Sequence, residues 1–215
     1  MQYKSIAVIV DIVGSRNAPD RVGAQRAVRE AFDRADAARP VLAPLWSTAG
    51  DEFQAVYGSL ADALRSTLIA RLVMPDGLDF RVGLGSGEVR EIERTSAGHP
   101  IQDGSAWWAA RDAIEEAHRR ENSGSPFVRS WYAAADESAD FVATVDSYLL
   151  LRDHLVSAMT GRARRLAAGA LEGRAQLDLA ESEDITQSAV SQSLQRSGAA
   201  ALLAAQQLME ERGAR

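Results

Sequence analysis

The chain alternates between two hydrophobic rhythms before settling into one. Residues 5–10 (Ser-Ile-Ala-Val-Ile-Val) are apolar on both faces, as in a strand covered on both sides, and the run ends at Asp11. Over 20–38 the apolar positions Val22, Ala27, Val28, Ala31, Phe32 and Ala35 recur at helical spacing, with Pro19 suited to the start and Pro40 to the stop. Residues 45–57 predict a hairpin about Gly50-Asp51, a dipeptide suited to a two-residue turn. Leu60, Leu64, Leu68 and Leu72 predict a second helix over 60–74, closed by Pro75-Asp76-Gly77. A strand over 80–89, a third helix over 104–120 capped by Asp103, a polar break at 121–126 and a last strand over 127–133 follow.

That order, β-α-β-β-α-β and then an αβ pair, predicts an α+β fold of the split-βαβ, ferredoxin-like kind with an extension. From about residue 138 to 209 the pattern is purely helical. The expected division is a ferredoxin-like domain over 1–135, a connecting helix over 136–158 and an all-α domain over 159–215.

Composition narrows the chemistry. The 215 residues are 46% hydrophobic and 25% charged, as in an ordinary soluble protein. No apolar run approaches the roughly 18–20 residues of a membrane span, and the first strand is too short for a secretory signal. The expectation is a cytoplasmic protein without a membrane partner. With no cysteine, any metal must use oxygen or imidazole ligands. A net charge of −6 argues against a chain-wide nucleic-acid coat and leaves room for one local reading head. Lys4 is the only lysine, so phosphate contacts fall to arginine or backbone amides.

Asp11 ends the first strand and Asp51 sits in the hairpin that would pair beside it. Two convergent carboxylates suit a hard cation, Mg²⁺ or Mn²⁺, completed by substrate phosphates and water. Asp is also a common turn residue that needs no metal. Glu52 follows directly, but strand alternation points it away from Asp51. After Asp11, Ile12, Val13, Gly14 and Ser15 offer backbone amides and a Gly-Ser turn suited to cradling phosphates, although no Walker A lysine follows.

Asp11-Ile12-Val13-Gly14-Ser15 resembles the DIVGF stretch of class III nucleotide cyclases. Residues 49–53 (Ala-Gly-Asp-Glu-Phe) resemble the hairpin of GGDEF-type diguanylate cyclases. Residues 81–89 (Arg-Val-Gly-Leu-Gly-Ser-Gly-Glu-Val) are similar to the RIGIHTGxV strand of the cyclases, and Ala109-Ala110-Arg111 to their VNxAAR helix. More narrowly, DIVGSR with GDEFQ, at this length and with a helical tail, resembles the bacterial SatD family. The resemblance implies a cyclase-type palm, with Asp11 and Asp51 as metal ligands, the Ile12 carbonyl as a helper and Arg111 as a phosphate contact. The cyclase asparagine falls on Trp107, the purine-selecting lysine on Ser47 and the base-selecting aspartate near Pro100. The metal half of a cyclase site is thus present without its base-recognising and transition-state half, and little or no cyclic-nucleotide product is expected.

Other positions leave alternatives open. Gly83, Gly85 and Gly87 line one strand face and admit a ligand or a packing helix. Trp107 and Trp108 lie about 100° apart on a helix, which suits one core and one half-buried residue better than a base-stacking pair. His99, His118 and His154 have no ligand-like spacing.

Residues 177–194 resemble a helix-turn-helix: a short helix holding Leu179-Ala180, a turn ending at Ile185, and Thr186 as N-cap of a second helix. Ala189, Val190, Ser193 and Leu194 fall on one arc of that helix, and Gln187, Ser188, Ser191, Gln192 and Gln195 on the other. The second arc is small, polar and almost uncharged, suited to base edges and phosphates. Arg196 at its end and Arg162, Arg164 and Arg165 before it are candidate phosphate contacts. Against this stand Glu181, Glu183 and Asp184, the last at the position where such motifs carry glycine. Residues 199–209 suit a dimer contact. The reading is a homodimeric transcriptional regulator coupling metal-dependent binding of a nucleotide, or another phosphorylated ligand, to DNA. The alternatives are a metal-dependent enzyme acting on nucleoside triphosphates, by cyclase-like nucleotidyl transfer or hydrolysis, and a DNA-binding protein with a degenerate first domain.

Overall fold

The computed structural model describes residues 4–15, 20–48, 50–94 and 100–213. The fold is α+β. The elements are β1 (Lys4–Ile12), α1 (Arg21–Asp36), β2 (Ala43–Ser47), β3 (Glu52–Tyr57), α2 (Leu60–Val73), β4 (Phe80–Glu88), β5 (Arg90–Arg94), β6 (Pro100–Asp103), α3 (Ser105–Asn122) and β7 (Ser130–Ala134). Five helices complete the chain: α4 (Ala139–Ala158), α5 (Gly161–Leu171), α6 (Gln176–Ser182), α7 (Gln187–Arg196) and α8 (Ala199–Gly213).

The main sheet runs β2-β3-β1-β4-β7. β1 pairs antiparallel with β3 and β4, and β7 joins β4 in parallel after the α3 crossover. β1 is covered on both faces, as its uninterrupted apolar run predicts. Ile6, Val8, Val10 and Ile12 face the core shared with α1, α2 and α4, while Ala7 and Ile9 face α3. β2 ends at Ser47 and β3 begins at Glu52, so the hairpin is not closed by a two-residue turn; Thr48 N–H donates to the Glu52 carbonyl at 3.0 Å. The α3 N-cap is Gly104 at φ +134°, not Asp103; a Cβ at Gly104 would stand 2.2 Å from the Glu88 carbonyl oxygen, so only glycine fits that turn. The small β5–β6 hairpin carries no apolar alternation and was not expected.

The glycine row of β4 seats a helix. A Cβ at Gly83 would stand 2.2 Å from the Ala110 carbonyl oxygen, and one at Gly85 2.1 Å from that of Ala106. α3 therefore lies backbone-close on the sheet. α2 is buried along 63–72 because it has two partners. One side meets the sheet and α1, and Leu68 and Leu72 join a second core with Leu166, Leu179, Val190, Leu194 and Leu202 of the tail. Among the described residues no helix is long and apolar enough to cross a membrane.

Candidate functional site

The strand register builds the site. Asp11 on β1 lies opposite Glu52 on β3 and Arg81 on β4. Directly opposed residues of antiparallel strands share a face, so Glu52, Asp11 and Arg81 form a row on the α3 side. Arg81 Nη1 donates to Asp11 Oδ1 at 2.9 Å, and its Nε donates to Glu121 near the end of α3. Arg111 of α3 reaches down with both Nη atoms onto the Glu52 carboxylate, at 2.6 and 2.8 Å. Glu52 is therefore the in-register neighbour of Asp11. Asp51 lies in the loop, outside the register, where the Ser15 hydroxyl donates to its carboxylate. Strand alternation points Glu52 away from Asp51, and the register sets it beside Asp11.

Burial pushes the Asp11 carboxyl above its ordinary range; Arg81 and His118 pull it down and the charge of Asp51 pushes it up. Asp11 and Asp51 thus feel one another. The turn between β1 and α1 is partly committed. Val13 N–H donates to the Asp79 carbonyl at 3.0 Å, and the Ser15 hydroxyl is spent on Asp51. Gly14 adopts φ +69° with open space where a side chain would stand, which leaves its backbone approachable. The expected phosphate contact Arg111 is held by Glu52 on an exposed surface, with the two side chains 45% and 23% accessible.

Among the described residues no group of three or more His, Asp or Glu side chains gathers to hold a metal ion. The donor set is two carboxylates, Asp11 already accepting from Arg81 and Asp51 from Ser15. It fits a hard cation that keeps water and takes ligand oxygens, and it does not amount to an all-protein cage. Trp107, where cyclases place asparagine, is buried and packs edge-on against Trp46 at a centroid distance of 5.9 Å, while Trp108 is 63% exposed. Ser47 accepts from Arg29 at 3.4 Å. His118 and His154 are exposed, and His99 lies outside the described residues.

One feature was not legible in the sequence. From Asp11 an alternating chain of charges runs through the protein. Arg81 joins Glu121; Glu121 meets Arg129 at 3.0 Å; Arg129 meets Asp79 at 2.8 Å; Asp79 meets Arg71 at 3.1 Å; and Arg71 meets Asp153 of α4 at 3.0 Å. These residues come from β4, α3, the segment before β7, the α2–β4 turn, α2 and α4, and only the topology lines them up.

In the tail, α6 and α7 are joined by a turn in which Asp184 takes φ +51°, the one non-glycine residue with positive φ among those described. Thr186 caps α7 by accepting from Ala189 N–H at 3.2 Å. Val190 and Leu194 are buried, whereas Gln187, Ser188, Ser191, Gln192, Gln195 and Arg196 are exposed. The arginines before this unit are not free: Arg165 grips Glu183 twice at 2.7 Å, Arg162 stands 3.6 Å from the same carboxylate, and Arg164 binds Asp76.

The family model described as "SatD family" matches residues 5–211. No curated protein matches. Among solved structures, a bacterial light-regulated adenylyl cyclase is 16% identical with a TM-score of 0.43 over 57% of this chain. The dimeric guanylyl cyclase domain of the RhoGC fusion protein from the aquatic fungus Blastocladiella emersonii is 20% identical, with a TM-score of 0.41 over 54% of this chain and 75% of its own. The adenylyl cyclase CyaB from P. aeruginosa is 13% identical, with a TM-score of 0.40 over 67% of this chain and 83% of its own. The chain spans only 41% of the light-regulated cyclase. Likeness of this size fixes no activity.

Proposed function

The chain belongs to the SatD family, and from that premise we propose that it is a transcriptional regulator coupling metal-dependent binding of a nucleotide, or another phosphorylated ligand, to DNA binding by α6 and α7. In this reading 1–135 senses, 136–158 connects and 159–215 reads DNA as a homodimer. Asp11 and Asp51 hold Mg²⁺ or Mn²⁺ with the Ile12 carbonyl, and the backbone of Gly14 and Ser15 faces the phosphates, the Val13 N–H being taken by the Asp79 carbonyl. When bound, the cation neutralises phosphate charge. The observation that carries the sensing half is the hydrogen bond from the Ser15 hydroxyl to Asp51, which ties the hairpin loop to the residues just after Asp11, beside an open Gly14 backbone.

The reading half rests on the exposed arc of α7. Thr186, Gln187, Ser188, Ser191 and Gln192 present a small polar face, and a merely solvated helix would carry more Glu and Lys there. Arg196 follows as a phosphate contact. Arg165 neutralises Glu183, one of the acids that weigh against this face. The second reading, turnover of a nucleoside triphosphate, is favoured by the intact Asp11–Asp51 pair. It is opposed by Trp107, which fills the core instead of reaching a transferring phosphoryl group.

The test has two readouts on the full-length protein. Nucleotides should raise the melting temperature only with Mg²⁺ or Mn²⁺, and Asp11→Asn should abolish that rise. The fold should survive the change, because Arg81 keeps Glu121 as a partner. On its own upstream DNA the protein should give a salt-sensitive mobility shift. Gln187→Ala should relax sequence preference at a cost of about 1–3 kcal/mol, and Arg196→Ala should weaken all sequences alike. Absence of any metal-dependent rise sinks the sensing half, and absence of a mobility shift with or without ligand sinks the reading half.

A further inference from the structure

A cleft of about 630 Å³ opens where the helical tail meets the α+β part, between the α2–β4 turn, the segment before β7, the end of α4 and the start of α5. Its size is that of a small-molecule site. Arg71, Arg129 and Arg164 line it together with Asp79. Arg71 and Arg129 are held by Asp79 and also by Asp153 and Glu121, so Arg164 is the guanidinium an anion can take. Leu78, Phe127 and Met159 supply apolar wall. Val13, just after β1, also lines it, whereas Asp11 and Asp51 do not.

The hydrogen bonds decide the sign of charge it takes. Asp79 has no acceptor capacity left for a cation. Its Oδ1 accepts from Arg71 Nε at 3.1 Å and Phe80 N–H at 3.0 Å, and its Oδ2 from Arg129 Nε at 2.8 Å and Arg71 Nη2 at 3.3 Å. A carboxylate has about four such positions. Arg164 is the opposite case. Its side chain is 16% exposed, yet its partner Asp76 is 84% exposed, so water screens that ion pair. An incoming anion replaces Asp76 and leaves no buried carboxylate behind, because Asp76 returns to solvent. Planar guanidinium donors also match phosphate oxygens in pairs.

We propose that this cleft is a second ligand site, adjoining the Asp11–Asp51 site at Val13, for an organic anion: a phosphate ester whose phosphate sits on Arg164 and whose apolar group packs on Phe127, Leu78 and Met159. The recessed position of Arg164 favours a small molecule over a nucleic-acid backbone.

Thermal-shift titration of the full-length protein with phenyl phosphate in excess EDTA tests this without engaging the metal site. A saturable rise in melting temperature is expected, with affinity about tenfold above that for inorganic phosphate from burial of the ring. Arg164→Gln should remove the rise, and loss of a screened ion pair should not unfold the protein. Met159→Ala should weaken phenyl phosphate while leaving inorganic phosphate unchanged. Asp51→Asn should leave the rise intact. The proposal is overturned by the absence of a saturable rise, by a rise that survives Arg164→Gln, by equal loss of both probes in Met159→Ala, or by loss in Asp51→Asn, which would move the ligand to the other site.

Discussion

Asp146 shows how one residue sets a pH response. It lies on the inner side of α4, 6% exposed, and accepts the Tyr132 backbone N–H of β7 at 2.9 Å. Burial raises its carboxyl to about 6, and the Tyr132 amide and Arg120 offset this only in part. The folded protein therefore holds a proton that the unfolded chain releases between pH 3.8 and about 6. Stability from this group is full below pH 3.8 and is lost as pH rises through about 6. Asp146→Asn keeps an oxygen for Tyr132 and removes the buried charge. At pH 7 it should stabilise the protein by about 1–3 kcal/mol in urea unfolding. Near pH 4 the advantage over the native protein should vanish; an advantage that is the same at both values would show that the charge is not its origin.

Elements were legible where the pattern is local. β1, α1, the hairpin strands, β4 and α3 follow from their apolar periods, and the exposed arc of α7 from helical spacing. What the sequence does not display is which partner covers an element. β4 carries glycines that suit a ligand or a helix, and only the fold shows that α3 takes them. The same limit hid Arg81 from Asp11 and Arg111 from Glu52, since cross-strand register and crossover placement decide those pairs. The β5–β6 hairpin, charged and short, has no hydrophobic signal to read. Gly85→Ala tests the close seat of α3. Its Cβ would meet backbone at 2.1 and 2.2 Å, and backbone cannot turn aside as a side chain can. A loss of about 1–3 kcal/mol in urea unfolding is expected. Gly58→Ala, whose nearest neighbour would be Leu42 at 3.9 Å, should stay within about 0.5 kcal/mol. Equal effects at the two sites would show that α3 moves off the sheet at little cost.

At the scale of the molecule, the question is whether the helical tail is a separable unit. α2 argues that it is not. Leu68 and Leu72 on its outer side belong to the core built by α5–α8, and Arg65 on the same helix donates to the Leu171 carbonyl at 3.0 Å. Gln206 of α8 donates to the Ala61 carbonyl at 3.0 Å, and Arg39 binds Glu210 at 2.6 Å. A division of labour between sensing and reading therefore does not require a division of folding. The charge chain from Asp11 ends at Asp153 on α4, whose C-terminus leads into α5. The full-length protein should unfold in one cooperative transition, by tryptophan fluorescence and by far-ultraviolet circular dichroism alike. A fragment ending at residue 158 keeps α4 but bares Leu68, Leu72 and Val156, and should bind a hydrophobic dye and lose cooperativity. If that fragment instead unfolds sharply and stays monomeric, the two parts are independent, and any signal from Asp11 must reach α7 through α4 alone.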